Sequence, residues 1–280
     1  MTLHRSTLDR PHSTANDSSI ASEATTWTFH PNGIRFTIAS LNPYNHQYSC
    51  GYGQSEGGGR GEGDVLSGTV GEDVLSIGGG VIEIPDQSFG EVVKEQGGLK
   101  SALANNQFDG VLGLGFDPHS ATGRPFLLNL VDQDVLQHAV FGVYLGHDDE
   151  DGEEDEEGGG SQLTLGGLDP SHRLVDIQWH EVTRQSQGQW AIELTAFALR
   201  REAFEIDGNA VIDSGFPYIA LTRYQAEMIN LQIGAKETSP GRMDFSKESG
   251  VIAVFGQVFL RKYYSAYDLE SHRIGFALAS

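Results

Sequence analysis

The stretch Val211-Ile212-Asp213-Ser214-Gly215 sets a carboxylate at the end of an apolar run, at the start of a turn. A strand ending there would hold Asp213 in place, Ser214 can hydrogen-bond locally, and Gly215 lets other groups approach the backbone closely. A carboxylate so placed can exchange a proton with a water, which is the chemistry of general acid–base hydrolysis. The plain alternative is an ordinary Asp-Ser-Gly turn, which a chain with 36 glycines can contain by chance. No metal or nucleophile motif competes with it. His-Glu-x-x-His and Gly-x-Ser-x-Gly are both absent, and the ten histidines show no helical metal-ligand spacing. No metal and no cofactor are expected.

The elements that must position Asp213 are mainly strands. Val175–Val182, Trp190–Leu199, Ala210–Ile212, Val251–Phe255 and Ile274–Ala277 carry strand-like apolar patterns. Upstream, Val70 to Ile84 predicts short strands broken by Gly78-Gly79-Gly80 and by Pro85. Helical spacing is limited to Phe126–Leu136 and Thr222–Leu231. Residues 1–33, rich in Ser, Thr, Asn and His, predict loop. Many short strands with glycine-rich turns and few helices indicate an all-β architecture.

Two segments invite a ligand reading and do not sustain it. The glycine-rich run 53–63 has no Gly-Lys-Ser/Thr of a phosphate loop and reads as a long hairpin tip. Residues 148–157 hold nine carboxylates in ten positions but lack the ligand alternation of a calcium loop, so they read as a solvated insertion between two strands.

The 280 residues carry 39 acidic and 18 basic side chains, for a net charge of −21. Nucleic acid and anionic membrane surfaces would be repelled, so neither is an expected partner. That balance suits work in acid, where carboxylates protonate. Cys50 is the one cysteine, so no intrachain disulfide can form. There is no apolar run of membrane-spanning length, and Met1–Ser6 lacks the apolar core of a signal peptide.

Several blocks, in order along the chain, resemble the pepsin-like aspartic proteases. They are Ser67–Gly79, Gln87–Gly90, Phe108–Phe116, Leu163–Ser171, Trp190–Leu194, Val258–Tyr264 and Arg273–Ala277. The resemblance covers roughly residues 50 to 280. It implies an all-β, bilobal, pepsin-like acid protease fold, in which each lobe gives one aspartate to a cleft between them. The N-terminal lobe would cover 1–172, with a glycine-rich flap and the acidic insertion 148–160; a shortened C-terminal lobe would cover 173–280. The N-lobe and part of the C-lobe would be incomplete, the C-lobe lacking strands near Phe245–Lys247.

In that family an Asp-Thr/Ser-Gly loop threads against an apolar-apolar-Gly segment in each lobe. The C-lobe pair is Asp213-Ser214-Gly215 with Val254-Phe255-Gly256. The N-lobe has Val111-Leu112-Gly113 without a clear aspartate loop; Asn16-Asp17-Ser18-Ser19 makes Asp17 the nearest candidate, and the chain is expected to begin just after the true one. Two facing carboxylates share a proton because both cannot ionise at short range, which supplies an acid and a base together. One aspartate cannot fill both roles at one moment. Phe216 stands where relatives place a small hydroxyl residue, and Gln257 where they place an aspartate. The flap tyrosine would be Tyr52, although counting back from Ser67-Gly68 points to Gly61.

The resemblance implies an aspartic endopeptidase acting as a monomer on peptide or protein substrates, with Asp213 catalytic and Tyr52, Ser214 and Gly215 against substrate. A secretory, vacuolar or lysosomal compartment goes with it. A peptide-binding relative without catalysis and a truncated gene product stay open as alternatives.

Overall fold

The computed structural model describes residues 2–3, 25–29, 37–38, 42–52, 64–77, 82–96, 110–117, 120–136, 138–146, 160–184, 188–199, 202–235 and 250–280. In chain order the strands begin with β1 (Thr2–Leu3), β2 (Thr25–Phe29), β3 (Thr37–Ile38), β4 (Asn42–Tyr52), β5 (Asp64–Ile77) and β6 (Ile82–Gln96). Next come β7 (Gly110–Val111), β8 (Val140–Tyr144), β9 (Ser161–Leu165), β10 (Gln178–Glu181) and β11 (Ala191–Leu199). The last are β12 (Glu202–Ile212), β13 (Ile219–Leu221), β14 (Val251–Phe255), β15 (Tyr263–Asp268) and β16 (Arg273–Leu278). Among the described residues the α-helices are α1 (Phe126–Asp132), α2 (Arg223–Ile233) and α3 (Gln257–Leu260). The predominance of strands agrees with the all-β expectation.

A six-stranded sheet in the order β10-β16-β15-β8-β9-β2 draws strands from both halves of the chain. Its central members are buried: Phe141, Leu163, Leu165, Ala266, Tyr267 and Ile274 all lie in the core. A four-stranded sheet, β11-β12-β14-β13, carries the residues around Asp213. A third sheet is built on β5, with β3 and β4 along one edge and β6 along the other.

The structure corrects three sequence expectations. Residues 1–33 are not loop throughout, because β1 and β2 lie within them; Thr25-Thr26-Trp27-Thr28-Phe29 is a run of β-branched and aromatic residues, and it pairs with β9. Pro85 does not break its strand. Pro85 and Asp86 stand opposite Val74 alone, a bulge that lets the ladder resume on both sides, with Asp86 at φ 57°. The helix predicted over Phe126–Leu136 stops at Asp132, where Asp134 turns to φ 53° and the Val135 N–H closes on the Leu130 carbonyl. The second helix matches its prediction within two residues. Gln225 Oε1 accepts from the Thr222 N–H and hydroxyl, closing its first turn.

The β15–β16 hairpin is locked by a buried carboxylate. Asp268 Oδ1 accepts from the Ser271 N–H at 2.8 Å, and Oδ2 accepts from Arg273 Nε at 2.9 Å. Burial alone would raise its pKa, but the Ser271 N–H and hydroxyl and the Arg273 guanidinium outweigh that and hold it below the usual carboxylate range. A carboxylate depressed in the folded state stabilises the fold above its unfolded pKa, and that stabilisation is lost as pH falls through the folded value. Asp268→Asn is therefore expected to lower the melting midpoint by about 5 °C at pH 6–7, with the gap closing below about pH 4. Thermal unfolding across pH checks this, and a gap independent of pH would contradict it.

Candidate active site

Asp213 follows the last residue of β12, and β12 runs parallel to β14 with Val211 opposite Val254 and Ile212 opposite Phe255. Parallel strands this close need a connection that leaves and returns, and the chain supplies it through the turn 213–218, β13 and α2. β13 then pairs antiparallel with the other edge of β14, with Ile219 opposite Phe255. Asp213 is thus carried at the end of a paired strand whose neighbours, Ala210, Ile212 and Ala253, are buried. The side chain itself is exposed.

The turn lies across the end of β14. The Asp213 N–H donates to the Phe255 carbonyl at 3.1 Å, the Gly256 N–H to the Tyr218 carbonyl at 3.0 Å, and the Gln257 N–H to the Phe216 carbonyl at 2.7 Å. Within the turn, the Gly215 N–H donates to Asp213 Oδ1 at 2.8 Å. Gly256 makes the crossing possible. A Cβ there would fall 2.1 Å from the Phe216 carbonyl oxygen and 2.4 Å from that of Tyr218. The pairing of Asp213-Ser214-Gly215 with Val254-Phe255-Gly256, expected from sequence, is what the backbone forms.

The N-terminal counterpart differs. Val111 ends β7, which pairs with β1, and Gly113 follows it. Among the described residues no atom lies within 4 Å of the Cβ position of Gly113, two residues beyond Val111, and none of them crosses it as the 213–218 turn crosses Gly256. Asp17 lies outside the described residues, as do Gly61 and the insertion segment 147–159. Tyr52 is placed at the end of β4, opposite Asp64 on β5, with the glycine-rich run between them.

One residue to which its sequence context assigns no role ties these regions together. Trp190, 5% exposed, donates from its indole Nε1 to the Leu114 carbonyl at 2.6 Å. Its own carbonyl accepts the N–H of Ile212, the residue before Asp213, at 2.8 Å. Its ring packs against Phe116, Phe141 and Tyr267 at centroid distances of 4.5, 5.6 and 5.1 Å. Burial pushes the Tyr267 hydroxyl up, its hydrogen bond with Ser265 opposes this, and the nearby Asp213 carboxylate adds a smaller push in the same direction as burial. Trp190→Phe keeps most of the ring and removes the donor. Leaving the Leu114 carbonyl unpaired is expected to cost about 1–3 kcal/mol, measured by chemical denaturation; a cost below about 0.3 kcal/mol would show that the indole bond carries nothing.

The chain matches the family model described as eukaryotic aspartyl protease over residues 39–246 and 242–279. Vacuolar protease A of Aspergillus fumigatus is similar at 30% identity over 260 residues, which cover 76% of this chain and 62% of that protein. Cathepsin E of Rattus norvegicus is 28% identical over 302 residues, covering 90% of this chain and 69% of that one. The fold is shared with the crystal structure of the aspartic proteinase from Irpex lacteus, with a TM-score of 0.67 at 17% identity, covering 86% of this chain and 84% of that one. The chain thus spans about 62% of the length of the fungal vacuolar relative.

Proposed function

The chain belongs to the eukaryotic aspartyl protease family, and from that membership we propose that it is an aspartic endopeptidase in which Asp213 does the C-lobe share of the chemistry. The observation that carries this reading is the crossing of the 213–218 turn over Gly256. It presents an exposed carboxylate on a buried strand end, held by backbone bonds on both sides. Such a carboxylate can accept a proton from a water as the water attacks a peptide carbonyl. Ser214 and Gly215 would line the path of an extended peptide, and Tyr52, on the β4–β5 hairpin, would close over it.

The two lobes of this reading are 1–172 and 173–280. The substrate is a peptide or unfolded protein segment, the working form is a monomer, and the compartment is vacuolar, lysosomal or secretory. The second carboxylate is the point on which catalysis turns, because one aspartate cannot be acid and base together. Val111-Leu112-Gly113 has no clear aspartate loop to go with it in the sequence, which favours a second reading, in which the protein binds extended peptides without cleaving them.

The test uses the purified protein with an unfolded polypeptide at pH 3 to 7, with and without a statine-type peptide analogue. Cleavage in acid, blocked by the analogue, supports the endopeptidase. Analogue binding without cleavage supports the second reading. Neither binding nor cleavage at any pH overturns both.

A further inference from the structure

We propose that Gln257 is a positioning residue for Asp213, its side-chain amide fixing the turn that presents the carboxylate; this rests on the reading of Asp213 as the acidic group of the site. Most bonds that seat the turn are backbone to backbone, from Asp213 to Phe255, Gly256 to Tyr218 and Gln257 to Phe216. They would form with nearly any residue at position 257. The exception lies at the tip of the turn. The Ser214 carbonyl accepts from Gln257 Nε2 at 3.1 Å. A side chain 43 residues further along the chain thus meets the peptide unit joining Ser214 to Gly215. That unit also supplies the Gly215 N–H, which donates to Asp213 Oδ1. Holding the carbonyl aims the N–H on the other side of the same plane, because the peptide unit is rigid.

Gln257 is well placed to hold anything. It opens α3, whose Leu260 is 1% exposed and whose Phe259 stacks on Phe255 at 4.8 Å. A donor carried on an anchored element loses little when its partner moves, which is what a positioning group requires. The chemistry at 257 is also selective. An amide donates at every pH, a carboxylate of the same length donates only when protonated, and a thioether does not donate at all. The turn, β13, β14 and α3 hold one charged side chain, Asp213, and Arg261 and Lys262 follow α3 directly. A neutral donor therefore seats the turn without adding a second charge beside Asp213.

Two variants separate donor from shape and charge. Gln257→Met keeps length and net charge and loses the donor; Gln257→Glu recovers the donor only in acid. Amide hydrogen exchange of Gly215 and Phe216 reads the turn directly and needs neither substrate nor activity. Gln257→Met is expected to lose protection at both amides by about two- to tenfold at every pH. Gln257→Glu is expected to match that loss at pH 7 and to return toward wild type near pH 3. Unchanged protection in Gln257→Met, or a Glu loss independent of pH, overturns the proposal. Binding of a statine-type peptide, measured in parallel, tests the site reading separately. Wild-type protein that binds no such peptide but shows the exchange pattern would remove the functional reading and keep Gln257 as the clamp of the turn.

Discussion

Asp213→Asn is expected to cut acid cleavage of an unfolded polypeptide by about 10²–10⁴-fold, the scale of a lost general acid–base group. The fold should be untouched. Asn keeps the Oδ1 that accepts the Gly215 N–H, and the side chain is exposed, so the stability change should stay within about 0.5 kcal/mol. The separation of the two readouts is the point of the experiment. An amide cannot take a proton from water at any working pH, so activity falls through chemistry and not through geometry. A variant that cleaves as well as wild type would remove Asp213 from the mechanism. A variant that loses activity and stability together would mean that the carboxylate is structural. Where wild type binds without cleaving, the same substitution should leave affinity for a statine-type peptide within a few-fold only if that affinity comes from the walls of the site; a larger loss would place Asp213 in direct contact with the analogue.

Gly256→Ala carries the largest expected structural effect. The added methyl would lie 2.1 Å from one carbonyl oxygen and 2.4 Å from another, both backbone atoms. Neither can swing aside as a side chain would. The Phe216 carbonyl accepts the Gln257 N–H and the Tyr218 carbonyl accepts the Gly256 N–H, so relieving the overlap breaks the bonds that seat the turn. Overpacking alone costs about 1–3 kcal/mol, and each broken buried bond adds about 1 kcal/mol. A loss of about 3 kcal/mol or more in chemical denaturation is expected, together with loss of peptide binding. Gly113→Ala is the matched control: no described atom lies near its Cβ position, so it should change stability by less than about 1 kcal/mol. Equal effects of the two substitutions would contradict the geometry.

The residues differ in how visible their roles were before the fold was known. Asp213 could be picked out because the signal is contiguous, an apolar strand running into Asp-Ser-Gly. The Thr222–Gln225 closure of α2 is local in the same way. The roles of Trp190 and Gln257 were not open to such reading. Trp190 meets Leu114 across 76 residues, and Gln257 meets Ser214 across 43. In sequence, Gln257 was only a departure from the family pattern, and Trp190 only an apolar residue at the head of a strand. The bulge at Pro85 is hidden from the sequence for a related reason. Proline forbids a ladder bond at its own nitrogen, but whether the strand ends or bulges depends on the partner strand opposite.

The sequence by itself determined the strand-rich class, the family and the carboxylate at 213, because periodicity, turn residues and short motifs are written in neighbouring positions. Only the tertiary structure decided that a turn would cross Gly256, that nothing would cross Gly113 among the described residues, and that an indole and an amide would brace the strand and turn at Asp213. Those are contacts between segments far apart in the chain. Their energy appears only when the backbone has closed the loops between them, so no local pattern of residue types records it.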